Sequence, residues 1–215
     1  MLTLFDPSRL KRILCLGAHS DDIEIGCGGT LLRLMRENPA LHVHWVVFGG
    51  QKEQRAAEAK ASAAKFLKGA ATSEIVVGDF RDAYMATQYV EVKDFFEAHL
   101  KHVKPDLVFT HFRDDRHQDH RLISDLAWNT WRDNTILEYE ILKYDGDLGR
   151  PNLYAPIPEE LCRRKIELLM EGFPTQAGRQ WFTEDTFWAM LRVRGVEANS
   201  PTKYAEAFYG RKVVV

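Results

Sequence analysis

The chain has 215 residues, of which 45% are hydrophobic and 28% are charged, the proportions of an ordinary folded protein. Its 29 basic and 31 acidic residues leave a formal net charge of -2, so no excess of positive charge predicts binding to nucleic acid or to an anionic membrane surface. A chain of this length can bury a substantial core, and we expect one domain over residues 1–215. No apolar run approaches the roughly 18 residues of a membrane span, and we recognise no signal peptide.

Strands and helices are predicted to alternate along most of the chain. The apolar runs predict strands at residues 12–17, 41–48, 75–79, 107–110 and 138–144. The periodic segments predict helices at residues 28–37, 53–67, 89–104, 117–132, 158–171 and 184–194, followed by an extended tail at 205–215. This alternation predicts an α/β, Rossmann-like three-layer fold in which helices flank a mostly parallel central sheet. The last strand, 138–144, is the most polar, and we expect it at an edge or leading out of the core.

The three cysteines give information about the compartment. Cys15, Cys27 and Cys162 are widely separated and odd in number, which argues against a disulfide framework and favours a reducing, cytoplasmic location. Cys27 is close enough to the first polar loop to be a weak candidate for a metal ligand.

A polar loop follows the first predicted strand and carries His19, Asp21 and Asp22. Loops at the carboxyl ends of parallel strands are where open α/β sheets bind ligands. One imidazole beside two carboxylates offers two metal ligands and a spare base. On its own, an Asp-Asp pair after a strand is more often a helix cap and a solvated turn.

A second cluster of the same kind follows the fourth predicted strand. It contains His117, Asp119 and His120 at the start of a predicted helix, and His111 lies just before it. Because both strands are predicted in one parallel sheet, both clusters should emerge at the same edge. Two imidazoles and one carboxylate with an open position are the ligands of a catalytic zinc site. The pair of clusters therefore predicts a metal centre.

These two stretches resemble the motifs of the PIG-L family, also called LmbE-like, of zinc-dependent N-acetylglucosaminyl deacetylases. The first family motif, Ala/Pro-His-Pro-Asp-Asp-Glu with a Gly-x-Gly-Gly-Thr tail, corresponds here to residues 18–23 and 26–30. The second, His-Pro-Asp-His, corresponds to residues 117–120. Three positions depart from the family pattern, since Ser20 and Gln118 replace prolines and Ile23 replaces the glutamate.

The resemblance implies a role for each matching residue. It implies three zinc ligands, which are His19, Asp22 and His120. It makes Asp21 the general base for attack by a metal-bound water on the amide. It also makes His117 the protonated group that assists collapse of the intermediate, with Asp119 as the carboxylate that favours the imidazolium. Arg55 matches an Arg-x-x-Glu feature whose arginine contacts substrate hydroxyls. Two nitrogens and one carboxylate would also accept Fe²⁺ or cobalt.

The implied function is a zinc-dependent hydrolase that removes the N-acetyl group from an N-acetylglucosamine-type sugar or glycoconjugate, a small-molecule substrate. Whether the chain forms a homo-oligomer is left open. One alternative is a metal-dependent amidase for another N-acyl small molecule, such as a thiol-sugar conjugate or an antibiotic precursor. A less favoured alternative is a non-catalytic nucleotide-binding module, because residues 26–30 do not fit Gly-x-Gly-x-x-Gly and the nearby carboxylates would repel a pyrophosphate.

Overall fold

The computed structural model describes residues 6–213 and contains a seven-stranded sheet covered by helices on both faces. The strands are β1 (Arg12–Gly17), β2 (His42–Gly49), β3 (Thr72–Phe80), β4 (Leu107–His111), β5 (Thr135–Tyr139), β6 (Leu153–Pro156) and β7 (Ala205–Gly210). Their order across the sheet is β3-β2-β1-β4-β5-β7-β6. The first five in that order are parallel, and β7 runs antiparallel to both of its neighbours. The predicted α/β fold with a mostly parallel sheet is confirmed.

The helices are α1 (Asp22–Glu37), α2 (Glu53–Phe66), α3 (Tyr89–Phe95), α4 (Gln118–Thr130), α5 (Glu159–Gly172) and α6 (Glu184–Glu197). A five-residue π-helical segment continues α3 through Phe96–Leu100. Side chains of α1, α2 and α5 share one hydrophobic core with Ile13 and Cys15 of β1. Side chains of α3 and α4 share the other core with Leu14 and Leu16. Strand β1 is therefore buried on both faces, which explains its unbroken apolar sequence.

The first helix begins at Asp22, six residues earlier than predicted. Gly26 precedes the predicted helix, but it lies within α1 together with Gly28 and Gly29, where the helix packs closely against its neighbours. A β-carbon added at Gly26 would lie 2.2 Å from the ring of Tyr139. One added at Gly29 would lie 2.9 Å from a carboxylate oxygen of Glu206. The glycines therefore permit close packing of a helix, and the motif loop is only four residues long.

The fifth predicted strand is wrong in its bounds and its position, and one strand of the sheet was not predicted. The fifth strand ends at Tyr139 and lies between β4 and β7, not at an edge. Its polar residue Glu138 is fully buried because Arg113, Arg211 and the indole N–H of Trp128 donate hydrogen bonds to its carboxylate. Strand β6 was not predicted, since it lies just after a turn-rich segment. The predicted tail strand is β7, and its last two predicted residues, 214–215, lie outside the described residues.

The order in which strands are added to the sheet reverses at its centre, between the parallel strands β1 and β4. From β1 the chain moves outward to β2 and β3, and it then returns to add β4 on the other side of β1. The loops that follow β1 and β4 therefore leave the same edge of the sheet side by side, at the position where open α/β sheets bind ligands. Within residues 6–213, no helix combines the length and apolar character that a membrane span requires.

Candidate metal centre

The two motif loops bring three predicted ligands together. His19 Nδ1 lies 3.1 Å from His120 Nε2 and 3.3 Å from Asp22 Oδ2. His120 Nε2 lies 3.5 Å from Asp22 Oδ1. Ligand atoms that share a tetrahedral ion at bond lengths of about 2.0–2.1 Å are separated from one another by roughly 3.3 Å. The donor types suit one divalent ion, with a different oxygen of Asp22 facing each imidazole, and His19 and Asp22 each also belong with His120 to a group of possible metal ligands. We call His19, Asp22 and His120 the ligand cluster.

Each histidine of the ligand cluster also has a carboxylate at its other ring nitrogen. His120 Nδ1 lies 2.9 Å from Asp115 Oδ2, and His19 Nε2 lies 3.0 Å from Asp82 Oδ1 and 3.3 Å from Asp119 Oδ2. A carboxylate in this position fixes the tautomer and orientation of a ligating imidazole. Burial raises the pKa of Asp115, but the hydrogen bond from His120 and the charges around it outweigh burial, so its pKa lies below the usual value.

Sequence reasoning missed Asp115 and Lys143. Asp115 also accepts a hydrogen bond from Lys143 Nζ at 2.9 Å, and Lys143 donates to Asp147 at 2.5 Å. The network thereby ties the loop after β5 to a candidate ligand. The position of Asp115, five residues before His120, was a signal in the sequence, but Asp114 beside it made the choice ambiguous.

His111 is fully buried and stacks on His120 with ring centroids 3.9 Å apart. Its Nε2 accepts a hydrogen bond from the backbone N–H of Ala18 at 2.9 Å and lies 3.2 Å from Asp22 Oδ2. His111 therefore packs against two residues of the ligand cluster, His120 and Asp22. Cys27 is also buried, and its thiol faces the carbonyl of Ile23 at 3.4 Å, which places it within the helix and not at the centre.

Asp21 lies next to the ligand cluster and is held by Arg55. Arg55 Nη2 donates to Asp21 Oδ1 at 2.9 Å, while Nη1 donates to Glu58 and Thr175, each at 2.9 Å. Burial raises the pKa of Asp21, and Asp22 raises it further, although Arg55 opposes both effects. Asp21 is thus a buried carboxyl with an elevated pKa, which suits a group that must accept a proton.

The structure gives Asp119 hydrogen-bond partners that the sequence did not indicate, while its carboxylate stays within 4.8 Å of a ring nitrogen of His117. His117 caps α4, with its Nδ1 accepting a hydrogen bond from the backbone N–H of Asp119 at 3.2 Å. The Asp119 carboxylate accepts from the backbone N–H groups of Ala83 at 2.7 Å and Met85 at 3.2 Å, and it faces His19. Burial lowers the pKa of His117, and the nearby His19 adds to this, against the opposing effect of Asp119. The first turn of α4 thus directs Asp119 towards residues 82–85.

Comparison with known protein families assigns the chain to a family. The PIG-L family model, described as GlcNAc-PI de-N-acetylase, matches residues 14–131, which is more than half of the chain and includes both motif loops. The chain belongs to the PIG-L family. Membership in a family of hydrolytic, metal-dependent de-N-acetylases agrees with the resemblance seen in the sequence.

Individual relatives agree with this assignment. The uncharacterized deacetylase YaiS of Escherichia coli (strain K12) is 28% identical over 122 residues, which cover 54% of this chain and 66%, just under two thirds, of that protein. The N,N'-diacetylchitobiose deacetylase from Pyrococcus horikoshii superimposes with a TM-score of 0.69 at 20% identity, covering 97% of this chain and 87% of that chain. GalB from Pseudomonas putida KT2440, a 4-carboxy-2-hydroxymuconate hydratase, superimposes with a TM-score of 0.69 at 20% identity, covering 95% of this chain and 98% of that chain. The fold alone therefore does not fix the reaction.

Proposed function

We propose that this PIG-L family member is a metal-dependent N-deacetylase acting on a small N-acetylglucosamine-type sugar or glycoconjugate. The observation that carries the proposal is the meeting of three residues, whose facing ring nitrogens and carboxylate oxygens are 3.1–3.5 Å apart, beside the buried carboxyl of Asp21. Family membership supports hydrolysis of an N-acyl group, since the family is described by that reaction. The single-domain assignment, the cytoplasmic location and the oligomeric state stay predictions.

In this proposal His19, Asp22 and His120 hold the ion. Zinc fits two imidazoles and one carboxylate, and Fe²⁺ and cobalt accept the same donors. When bound, the ion would polarise the acyl carbonyl and acidify a water molecule. Asp115 and Asp119 would keep the two imidazoles in the tautomers that ligation needs, by accepting from the nitrogens on the far side of each ring.

Asp21 would act as the general base. It follows the ligand His19 by two residues and is buried, so it can take a proton from the attacking water without competition from bulk solvent. Arg55 fixes one carboxylate oxygen of Asp21, which restricts the direction in which the carboxylate can accept that proton. The predicted contact between Arg55 and substrate hydroxyls stays part of the proposal, because Arg55 also lines the adjacent cavity.

His117 would donate a proton to the leaving amine. Its ring lies beside both candidate ligand rings, with its centroid 4.7 Å from those of His19 and His120. At the first residues of α4 the positive end of the helix dipole can also stabilise a developing negative charge on the acyl oxygen. Transfer of one proton from water to Asp21 and of one proton from His117 to the amine would release acetate and a free amino sugar.

Acetate release from a panel of N-acetylated sugars tests the proposal, with the protein stripped of metal and then reloaded with Zn²⁺. We expect hydrolysis only in the loaded protein. Asp21→Asn should retain the ion and lose roughly 10²–10⁴-fold in turnover, the usual contribution of a positioned general base. Acetate production by the stripped protein at the full rate would contradict the proposal, as would no acetate from any sugar in the loaded protein.

A further inference from the structure

Arg55, which holds the proposed general base, is itself held by three other residues. Its Nη2 donates to Asp21 at 2.9 Å, while its Nη1 donates to Glu58 Oε2 and to Thr175 Oγ1, at 2.9 Å each. The guanidinium also lies over the ring of Phe173 at 5.7 Å, a cation–π contact. Both terminal nitrogens therefore have partners, and the side chain is only 18% exposed.

Thr175 holds both carboxylate oxygens of Glu58. Its backbone N–H donates to Oε1 at 2.9 Å, and its hydroxyl donates to Oε2 at 2.5 Å. The same hydroxyl oxygen accepts the hydrogen bond from Arg55, since a hydroxyl has one proton to donate and lone pairs with which to accept. Glu58 is buried, so these hydrogen bonds replace the water that its carboxylate lacks.

Thr175 comes from a part of the chain that neither motif reaches. It lies in the one-turn 3₁₀ helix Pro174–Gln176, which follows α5, and it is 120 residues from Arg55. Helices α2 and α5 share one hydrophobic core, which brings the segment after α5 to α2. The match to the family model ends at residue 131, so the match assigns no role to Thr175.

A chain of alternating charges runs from Glu58 through Arg55 to Asp21. Because Thr175 fixes Glu58 and accepts from Nη1 of Arg55, the other terminal nitrogen stays directed at Asp21. Loss of the Thr175 hydroxyl would remove one partner each from Glu58 Oε2 and Arg55 Nη1, and the guanidinium would hold Asp21 less precisely. A general base must lie within hydrogen-bond reach of the proton that it takes, so a small displacement lowers the rate of the reaction.

We propose that Thr175 is a positioning residue for the general base. Through Glu58 and Arg55, its hydroxyl sets the direction in which the Asp21 carboxylate accepts a proton. The role of Asp21 as base rests on the proposed function, whereas the link from Thr175 to Asp21 rests on the hydrogen bonds that join the four residues. The segment after α5 thereby contributes to the reaction from outside both motifs.

Replacement of the hydroxyl tests the proposal. Thr175→Val keeps the backbone N–H and the shape of the side chain. We expect kcat of the Zn²⁺-loaded protein for an N-acetylated sugar to fall by about 10–100-fold, with the bound Zn²⁺ unaltered. Thr175→Ser restores the hydroxyl and should restore kcat. An unaltered kcat in Thr175→Val would overturn the proposal, and so would a rise in KM alone or a Thr175→Ser variant as slow as Thr175→Val.

A control variant separates positioning from stability. The hydroxyl of Thr183 caps α6 by accepting from the backbone N–H of Thr186 at 3.3 Å, so Thr183→Val also removes the hydrogen bonds of a threonine in the C-terminal part of the chain. It should lower the melting temperature and leave kcat unaltered. An equal fall of kcat in Thr183→Val and Thr175→Val would assign Thr175 a structural role and overturn the proposal.

The Asp21→Asn background separates an effect through the base from a general effect on the site. With no base left to direct, Thr175→Val should cause no further loss of the residual kcat. A further fall by the factor seen in the parent protein would show that Thr175 acts independently of Asp21, which contradicts the proposal.

The stability of the metal-free protein tests the link without the reaction. Because Thr175 and Asp21 are joined through Arg55, their effects on the melting temperature should not add in the double variant Thr175→Val, Asp21→Asn, whereas the effects of independent sites do add. Additive shifts overturn the link even if acetate is released. Shifts that do not add, in a loaded parent protein that releases no acetate from any sugar, support the link and overturn the deacetylase.

Discussion

Helix α1 contacts two buried polar clusters that are built in opposite ways. Along its length lies the lysine cluster, formed by Lys165 and Glu206. Lys165 Nζ donates to Glu206 at 2.7 Å and to the carbonyl of Ile25 at 2.6 Å, and Glu206 also accepts from the backbone N–H groups of Gly29 and Thr30. Every charge in the lysine cluster has an opposite charge and hydrogen bonds within the protein.

The ligand cluster at the start of α1 is different. Its two imidazole nitrogens lie 3.1 Å apart and cannot both accept from each other, and each faces a different oxygen of Asp22, at 3.3 and 3.5 Å. A cation placed among them would satisfy the lone pairs of all three residues. The difference indicates that the lysine cluster stabilises the fold, whereas the ligand cluster is arranged for an added ion. Four predictions test this contrast, from the largest expected effect to the smallest.

The largest effect is expected for His120→Ala. Removing one of three protein ligands should reduce the bound Zn²⁺ from about one ion per chain to almost none and abolish turnover. Elemental analysis of the purified variant measures this. Full metal occupancy in folded His120→Ala protein would show that the ligand cluster is not the site.

Lys165→Met should have the complementary effect. It leaves the Glu206 carboxylate buried without its cation, which should lower the free energy of unfolding by about 3–5 kcal/mol. Denaturant titration measures the loss, and the folded variant should still bind one ion. The double variant Lys165→Met, Glu206→Gln should regain part of the stability, and a single variant as stable as the parent would contradict this role.

Asp115→Asn tests a residue that contacts the candidate ligand His120 and is not itself a candidate ligand. The change removes the charge that His120 and Lys143 share, so the imidazole is held less firmly. Metal affinity should fall by about 10–100-fold, the usual cost of losing such an outer partner. Competition with a chelator measures it, and Asp114→Asn at the neighbouring exposed position is the control. Equal losses in both variants would argue against a specific role for Asp115.

The smallest effect concerns pH and a third buried polar group, His44 on β2. Burial lowers its pKa below 6.5, with His42, His102 and Arg12 adding to this and Glu74, 3.5 Å away, opposing it. The unfolded chain therefore binds more protons than the folded chain as the pH falls below about 6.5, and stability declines there. Above that pH the contribution is constant. His44→Gln should reduce the slope of the curve of melting temperature against pH in this range. An unaltered slope would exclude His44 as the source of the decline.

Much of the fold could be predicted from the sequence because its signals are local. The apolar runs of β1 to β4 reflect burial on both faces, and that pattern needs no knowledge of partners. The position of β5 could not be predicted in this way. Glu138 makes the strand polar, and its burial depends on Arg113 and Arg211, which lie 25 and 73 residues away. Local patterning cannot reveal such a pairing.

The candidate site shows the same division. His19, Asp22 and His120 could be named because they stand in two short motifs, and the structure brings them together. The partners of those residues could not be named. The resemblance implied a pairing of Asp119 with His117, but it gave no sign that the carboxylate of Asp119 would also face His19 and accept hydrogen bonds from residues 83 and 85. Contacts between separate loops depend on tertiary geometry.

The lysine cluster also has a consequence for the order of events during synthesis. Glu206 lies 177 residues after Gly29, the helix N–H that it accepts from. On the ribosome, α1 and then Lys165 emerge before Glu206. The carboxylate of Glu206 accepts hydrogen bonds from α1 and neutralises the charge of Lys165. Until Glu206 is made, the nascent chain has a cation at a position that the finished protein buries. Docking of α5 onto α1 should therefore wait for β7, and a chain stalled before residue 206 should be a substrate for chaperones or proteases.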